Sequence, residues 1–401
     1  PTSWRRRSRS NWGRLGMKFE TYKISELIDE IAMGPFGSNI KVECFVDDGV
    51  PVLNGSNLEG FELGEKSFRY VTEEKADSLG RANAHKGDIV ITHRGTLGQI
   101  VYIPQTAKYD RYVISQSQFR IKCNKKVLPE YLVYYFHTPI GQYKLLSNAS
   151  QVGVPALARP SSTFQKIEVE IPDLDTQKQV VAIIQSLQDK IALNNKTNDN
   201  LEQQAKLFYK KWFADAQPFM TDGKLSDIAI ITMGQSPNGK SYNEQGEGEV
   251  FYQGRAEFGA RFPTRRLYTT EPKRMAEPGD VLLSVRAPVG DMNVAYEKCC
   301  VGRGLAAIHS KTGNGSFLLY TMFGLKTQLD VFNGEGTVFG SINREALAAM
   351  PVQIPSNEAI AQFEKIVRPM DDLIKTTYEE NCRLEELRDS LLPKLMAGEI
   401  L

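Results

Sequence analysis

The chain has 401 residues, 41% of them apolar and 24% charged, with a formal net charge of +1. That length suits two ordinary globular domains plus accessory segments. Bulk charge gives no support for a nucleic-acid partner, so any basic surface must be local, and no apolar run approaches the roughly 18 residues of a membrane-spanning helix. Five scattered cysteines (Cys44, Cys123, Cys299, Cys300, Cys382) form no C-x-x-C pair, and the four histidines lie far apart. Neither a disulfide framework nor a metal site is indicated, and a reducing cytoplasm fits.

Residues 1–16 carry five arginines and no acid, and they precede Met17, where a reading frame could begin. This stretch reads as a cloning-derived or disordered basic tail, with a basic arm touching nucleic acid as the alternative. Subtracting its five arginines from +1 leaves −4 for the remainder.

A first domain is predicted over 17–173. Apolar, β-rich runs at 88–92 and 117–122 read as strands, the first opened by the turn signal Gly87-Asp88. Residues 130–136 read as a short helix. Candidate polar contacts are Ser38, Asn39, Lys41, Asn57, Arg94, Thr96 and Arg111. Arg94 stands just past a strand in a glycine-bounded loop.

A first long helix is predicted over 174–216. Val180, Ile184, Leu187, Ile191, Asn194, Asn198, Leu201, Ala205, Phe208 and Trp212 follow at alternating steps of four and three, the seam of a coiled coil. Two adjacent asparagines interrupt the apolar seam at its middle. At 1.5 Å per residue the stretch is a rod of roughly 55 Å.

A second domain is predicted over 217–355, and it echoes the first. Lys23-Ile-Ser-Glu and Met33-Gly34 return as Lys224-Leu-Ser-Asp and Met233-Gly234. The run from Gly87-Asp88 through Arg94 to Gly98 returns as Gly279-Asp280 through Arg286 to Gly290, at an offset of 192. Ile171-Pro172 returns as Ile354-Pro355 at 183, so the loops between fixed points differ in length. A period this long is gene duplication. Strands are predicted at 228–232, 280–285 and 305–309, and a helix at 316–323. Arg255, Arg261, Arg265, Arg266, Lys273 and Arg274 fall among five aromatics, with only Glu257 and Glu271 as acids between 255 and 274. Arginine forks suit phosphate oxygens and guanine edges, so these residues, with Lys240, Arg286 and Arg303, are the candidates in this unit.

The string from Gly234 to Gly239-Lys240-Ser241 matches a phosphate-binding loop literally, but the following residues have no helical apolar face. A polar loop facing a substrate is the stronger reading. No constellation for nucleophilic, metal or paired-carboxylate chemistry stands out, so no catalysis is expected from this chain alone.

A second long helix, 356–401, repeats the seam at Phe363, Val367, Met370, Ile374, Thr377, Asn381, Leu384, Arg388, Leu391 and Leu395, again with its polar pair at the middle. Two such helices can pair with polar centres opposed, which sets register. The connectivity predicts antiparallel rods with one domain at each end and pseudo-two-fold symmetry. Pro369 should kink this helix or mark a restart, and Pro393 should loosen its last turn. The expected fold is α+β: two similar strand-rich domains held apart by an antiparallel two-helix coiled coil.

The sequence resembles the specificity (S) subunit of a type I restriction–modification system. The resemblance rests on Gln203-Gln-Ala-Lys-Leu-Phe-Tyr-Lys-Lys-Trp-Phe213 and on Leu387-Arg-Asp-Ser-Leu-Leu-Pro-Lys-Leu-Met-Ala-Gly-Glu399, which close the two rods. The strand and arginine loop after each Gly-Asp, and Gly234-Gln-Ser-Pro, add to it. The resemblance implies that the two strand-rich domains are target-recognition domains, each reading one half of a bipartite double-stranded DNA site. It implies that the helices set the gap and dock two methyltransferase (M) subunits, and that restriction (R) subunits join the full complex. S-adenosylmethionine then belongs to the M partner, and ATP and Mg to the R partner. Three alternatives stay open: a stand-alone DNA-binding protein, a nucleotide-hydrolysing enzyme and a protein-only scaffold. A specificity subunit of a related modification system is not separable from the leading reading.

Overall fold

A computed structural model describes residues 18–35, 37–150, 154–214, 220–286, 288–333 and 340–401. The basic stretch 1–16 lies outside them. The chain divides into two compact units, Pro1–Ala192 with Cys382–Leu401, and Leu193–Asn381. Each long helix is therefore shared between the units.

In the first unit a four-stranded antiparallel sheet runs in the order Ile28–Met33, Gln118–Cys123, Asp88–Thr92, Ile100–Tyr102. A five-stranded sheet runs Phe45–Val46, Arg69–Val71, Val50–Val52, Arg111–Val113, Asn83–His85, with a parallel pairing of Val52 with Val113. Strand Phe19–Lys23 pairs with Glu168–Pro172 and closes the domain where the first long helix begins. The second unit repeats this order strand for strand. Its four-stranded sheet is Ala229–Met233, Leu305–Ser310, Val281–Ser284, Met292–Val294. Its five-stranded sheet is Tyr242–Asn243, Tyr268–Thr269, Glu249–Tyr252, Cys299–Val301, Met275–Ala276, again with one parallel pair.

The repeated sequence signals have matching causes in the two units. Strand Asp88–Thr92 is buried on both faces, because alternate side chains enter two cores. Ile89 and Ile91 pack with helix Pro129–His137, while Val90 joins Val101 and Ile103 on the other side. Val281 and Leu283 likewise pack with helix Gly315–Gly324, and Leu282 faces Val250 and Val301. Gly87 and Gly279 both take positive φ, 89° and 91°, which a residue with a Cβ resists. Asp88 and Asp280 close the two turns by accepting the backbone N–H of His85 and Glu277.

The first long helix spans Leu174–Tyr209, about 54 Å at 1.5 Å per residue. Asp173 caps it, its carboxylate accepting the N–H groups of Asp175 and Thr176 at 3.0 Å. The second spans Asn357–Ala397, with Ser356 Oγ accepting the Ala359 N–H. It runs helical through Pro369 and Pro393, so the expected restart at Pro369 is absent. Gly398, at φ 68°, ends it, with backbone bonds back to Leu395 and Lys394.

Within each unit the two helices pack antiparallel. In the first, Val180 and Ile184 near the start of one helix share a core with Leu392, Leu395 and Met396 at the end of the other. In the second, Phe213 packs on Phe363, while Asn194 bonds to Asn381. The polar centres meet as expected. Asn194 donates to Asn381 Oδ1 and Asn381 donates to Asn195 Oδ1, both at 2.8 Å, and Thr377 bonds to Asn198. At the end of the first helix Trp212 packs on Phe363, and Phe213 joins it. A π turn at Lys210–Ala214 inserts an extra residue, so Phe213 is buried and Trp212 only half-buried.

Candidate nucleic-acid interface

The arginine loops occupy equivalent places in the two units. Past strand Asp88–Thr92, the Arg94 backbone bridges to Ala156, and Gly95 donates to the Pro155 carbonyl. Past Val281–Ser284, the Arg286 backbone bridges to Ser341, and Ile342 donates to the Val285 carbonyl. Both side chains are exposed, and neither has an ion-pair or hydrogen-bond partner among the described residues.

In the second unit this loop forms one wall of a cleft of about 680 Å³. Arg286, Arg303 and Arg344 line it with Met233, Gly234, Ser341 and Asn343, and among the described residues no carboxylate lines it. Three guanidinium groups with no acid among the described lining residues make a local positive field, suited to bidentate hold on phosphate oxygens or guanine edges. Gly234 permits the close approach behind it, since a Cβ there would lie 2.1 Å from the Gly302 carbonyl oxygen. Arg344 is positioned by helix Arg344–Ala348, which Asn343 caps through the Ala346 N–H.

The first unit dresses the same scaffold differently. Gly34 takes the place of Gly234, its would-be Cβ 1.9 Å from the Ser115 carbonyl oxygen. Gln116 stands where the second unit has Arg303, and its carbonyl is 3.1 Å from His93 Nε2, which donates to it. Arg159, exposed and held at φ 47°, precedes helix Pro160–Phe164 as Asn343 and Arg344 open theirs. Burial holds the His93 pKa below the usual imidazole value, which favours the neutral ring at this surface.

The remaining candidates divide. Asn39, Lys41, Thr96 and Lys240 are exposed. The side chain of Ser38 lies outside the described residues. Arg111 is tied to Glu73 and Asp77. The basic cluster of the second unit is largely neutralised, a correction to its expected character. Arg255 pairs with Asp291, Arg265 with Glu297, and Arg266 with Glu257 and Glu244. Arg261 is only 8% exposed and bound to Glu202 and Asp371, so it faces the helices. Asn57 is fully buried and holds the carbonyls of Gly64 and Lys66, a structural task. The loop at Gly234–Ser241 ends in one 3-10 turn, Gly239–Ser241, and is followed by strand Tyr242–Asn243. It lacks the helix N-terminus that a phosphate-binding loop requires. Arg344 and Arg159 were not among the candidates. Each lies far in sequence from the strand loop it joins, and no local pattern marks it.

Among the described residues no group of His, Cys, Asp and Glu is placed to hold a metal ion, and no helix is long and apolar enough to cross a membrane. The family model for the type I restriction modification DNA specificity domain matches the chain twice, over residues 18–203 and 220–388. The chain belongs to the type I restriction–modification specificity-subunit family. This specificity subunit is 26% identical over 411 residues to a putative type I restriction enzyme MjaX specificity subunit of Methanocaldococcus jannaschii, covering 97% of this chain and 95% of the relative. It is 23% identical over 403 residues to the HindI specificity subunit of Haemophilus influenzae, covering 79% and 87%. Its fold is similar to the crystal structure of a type I restriction–modification S subunit from M. genitalium, with a TM-score of 0.56 at 14% identity over 95% and 96% of the chains.

Proposed function

We propose that this specificity subunit reads a bipartite double-stranded DNA site, one half with each strand-rich unit. The observation that carries this reading is the identical strand order of the two units, with an arginine loop in each that has no partner among the described residues and different side chains around it. Equal scaffolds place their reading loops equivalently, and unequal loops select unequal sequences. In the second unit the cleft of Arg286, Arg303 and Arg344 grips the DNA, and Arg94 and Arg159 do so in the first. The helix pair sets the gap between the half-sites and docks two methyltransferase subunits, which carry S-adenosylmethionine and methylate adenine N6. Restriction subunits using ATP and Mg complete the assembly. The chain itself is non-catalytic.

The subunit alone binds DNA weakly, because its charge is near neutral. Specific binding appears with the M subunits and weakens with salt as counterions are displaced. Mapping methylated adenines genome-wide in cells carrying this subunit and its M partner tests the reading. The expected result is one bipartite motif with a fixed gap. Removing one heptad within 194–201 and one within 377–384 takes out about 10 Å of rod, and the gap should shorten by about three base pairs at 3.4 Å each with both half-sites unchanged. Altered half-sites, or specific binding by the isolated chain as tight as by the assembly, would refute the proposal.

A further inference from the structure

The second unit contains an ionic cluster built on the buried side chain of Arg261, whose two acids are partly exposed. Arg261 comes from the loop between Arg255 and Arg265. Its Nη1 donates to Glu202 on the first long helix at 3.1 Å, and its Nη2 donates to Asp371 on the second. Asp371 also accepts the hydroxyls of Ser316 and Tyr320 at 2.6 and 2.9 Å. The guanidinium lies over the rings of Tyr320 and Phe323, at 5.8 and 5.9 Å. One side chain thus ties the recognition domain of this unit to both of its helices at once.

The first unit answers the same position with different chemistry. The Arg261 carbonyl accepts the N–H of Val294, and the Phe61 carbonyl accepts the N–H of Tyr102, the residue equivalent to Val294. Phe61 is therefore the counterpart of Arg261. Its ring is buried, and Arg388 of the second long helix lies over it at 5.2 Å. Both units have one strand order, so an apolar residue suffices here to build the scaffold. An ion pair on a buried arginine adds little net stability over an apolar replacement, but it demands one geometry, because displacing its acids leaves the buried Arg261 guanidinium unpaired.

We infer that Arg261 is a positioning residue that locks the second recognition domain at one orientation on the helix pair, and so makes the enzyme complex strict about the gap between half-sites. The link to the gap rests on the function proposed above; the lock itself does not. The loop that carries Arg261 also carries Arg255, Arg265 and Arg266, so a tilt at the lock moves surface side chains with it.

The test uses the full chain in complex with its M subunits and two variants. In the first, Arg261→Met is combined with Glu202→Gln and Asp371→Asn, which removes all three charges at near-constant volume. In the second, Arg261→Lys keeps the charge but loses the fork that spans both acids. Spin labels on unnatural amino acids at Lys273 and Asp199, both exposed, report the domain–helix distance. Methylation is measured on duplexes with the native gap and with gaps one base pair shorter and longer. The expected result is a broadened distance distribution in the triple variant, unchanged half-sites, and methylation at the off-length gaps raised roughly tenfold relative to the native gap. Arg261→Lys falls between, and it carries the test if the triple variant does not fold. Unchanged label distances with unchanged gap selectivity would overturn the inference. So would equal loss of methylation at every gap in a folded variant, since that marks a merely structural role. If the wild-type complex methylates no bipartite site, the proposed function fails, and the label distances still decide for or against the lock.

Discussion

Asn194 Nδ2 donates to Asn381 Oδ1 at 2.8 Å, and both side chains are buried at the centre of the helix pair. The same amide also reaches Glu380 at 2.8 Å, and Asn381 returns a bond to Asn195. A polar layer of this kind is satisfied in one register only. Sliding either helix by a heptad would set an asparagine against an apolar neighbour.

Replacing Asn381 by Leu should therefore destabilise the second unit by about 1–3 kcal/mol, the cost of leaving buried polar groups unpartnered. Replacing both Asn194 and Asn381 by Leu should recover most of that loss while loosening register. Denaturant unfolding of the singles and the double gives the coupling directly. An additive double variant would show that the two amides do not act together.

The cleft arginines make a separate prediction. Arg303→Ala and Arg344→Ala should weaken DNA binding by the assembled complex. If they hold phosphates, binding falls about equally on all sequences and the log–log salt slope drops by about 1 per lost contact. If one reads a guanine edge, specificity relaxes at one base pair, at a cost of about 1–3 kcal/mol. Arg266→Ala should do less, because that guanidinium is already held by Glu257. Binding titrations at several salt concentrations distinguish the three outcomes.

Gly34 and Gly234 test the equivalence of the two scaffolds. A Cβ at either would sit about 2 Å from a backbone carbonyl oxygen, of Ser115 or of Gly302, and a backbone atom cannot swing aside as a side chain end can. Gly34→Ala should cost the first unit, and Gly234→Ala the second, about 1–3 kcal/mol each. Hydrogen exchange read separately over the two units should localise each loss to its own unit.

Acid should weaken the first unit before the carboxylates titrate. His137 Nε2 donates to the Ile100 carbonyl at 2.8 Å, and its ring centre is 4.5 Å from that of Phe61. Burial, with the Arg388 charge adding to it and the Ile100 bond opposing, holds its pKa below the usual value. His93 is lowered by burial as well. The unfolded imidazole binds protons more readily than the folded one, so stability is lost as pH falls through the unfolded value of about 6.5. Hydrogen exchange over the 100–137 segment, compared at pH 8 and pH 5.5, should show reduced protection at the lower pH. His137→Gln, which cannot charge, should flatten the dependence. A wild-type profile without that fall would remove the histidines from the account.

What was legible in the sequence is what repeats locally. Alternating steps of four and three place Val180, Ile184, Ile191, Val367 and Ile374 inside, because a helix turns the same face inward every three to four residues. Continuous apolar runs after Gly87-Asp88 and Gly279-Asp280 mark strands, and a matching motif order reveals the duplication. Burial is written into periodicity, so these features could be read without coordinates. The tertiary structure decided which charges are free. Arg255 and Arg265 look available until the fold brings Asp291 and Glu297 onto them from more than thirty residues away. Arg286, Arg303 and Arg344 share one cleft only because two loops and the start of helix Arg344–Ala348 converge there. Whether a guanidinium meets a carboxylate or open water depends on chain segments with no shared period, and ion pairing leaves no local trace in the order of residues.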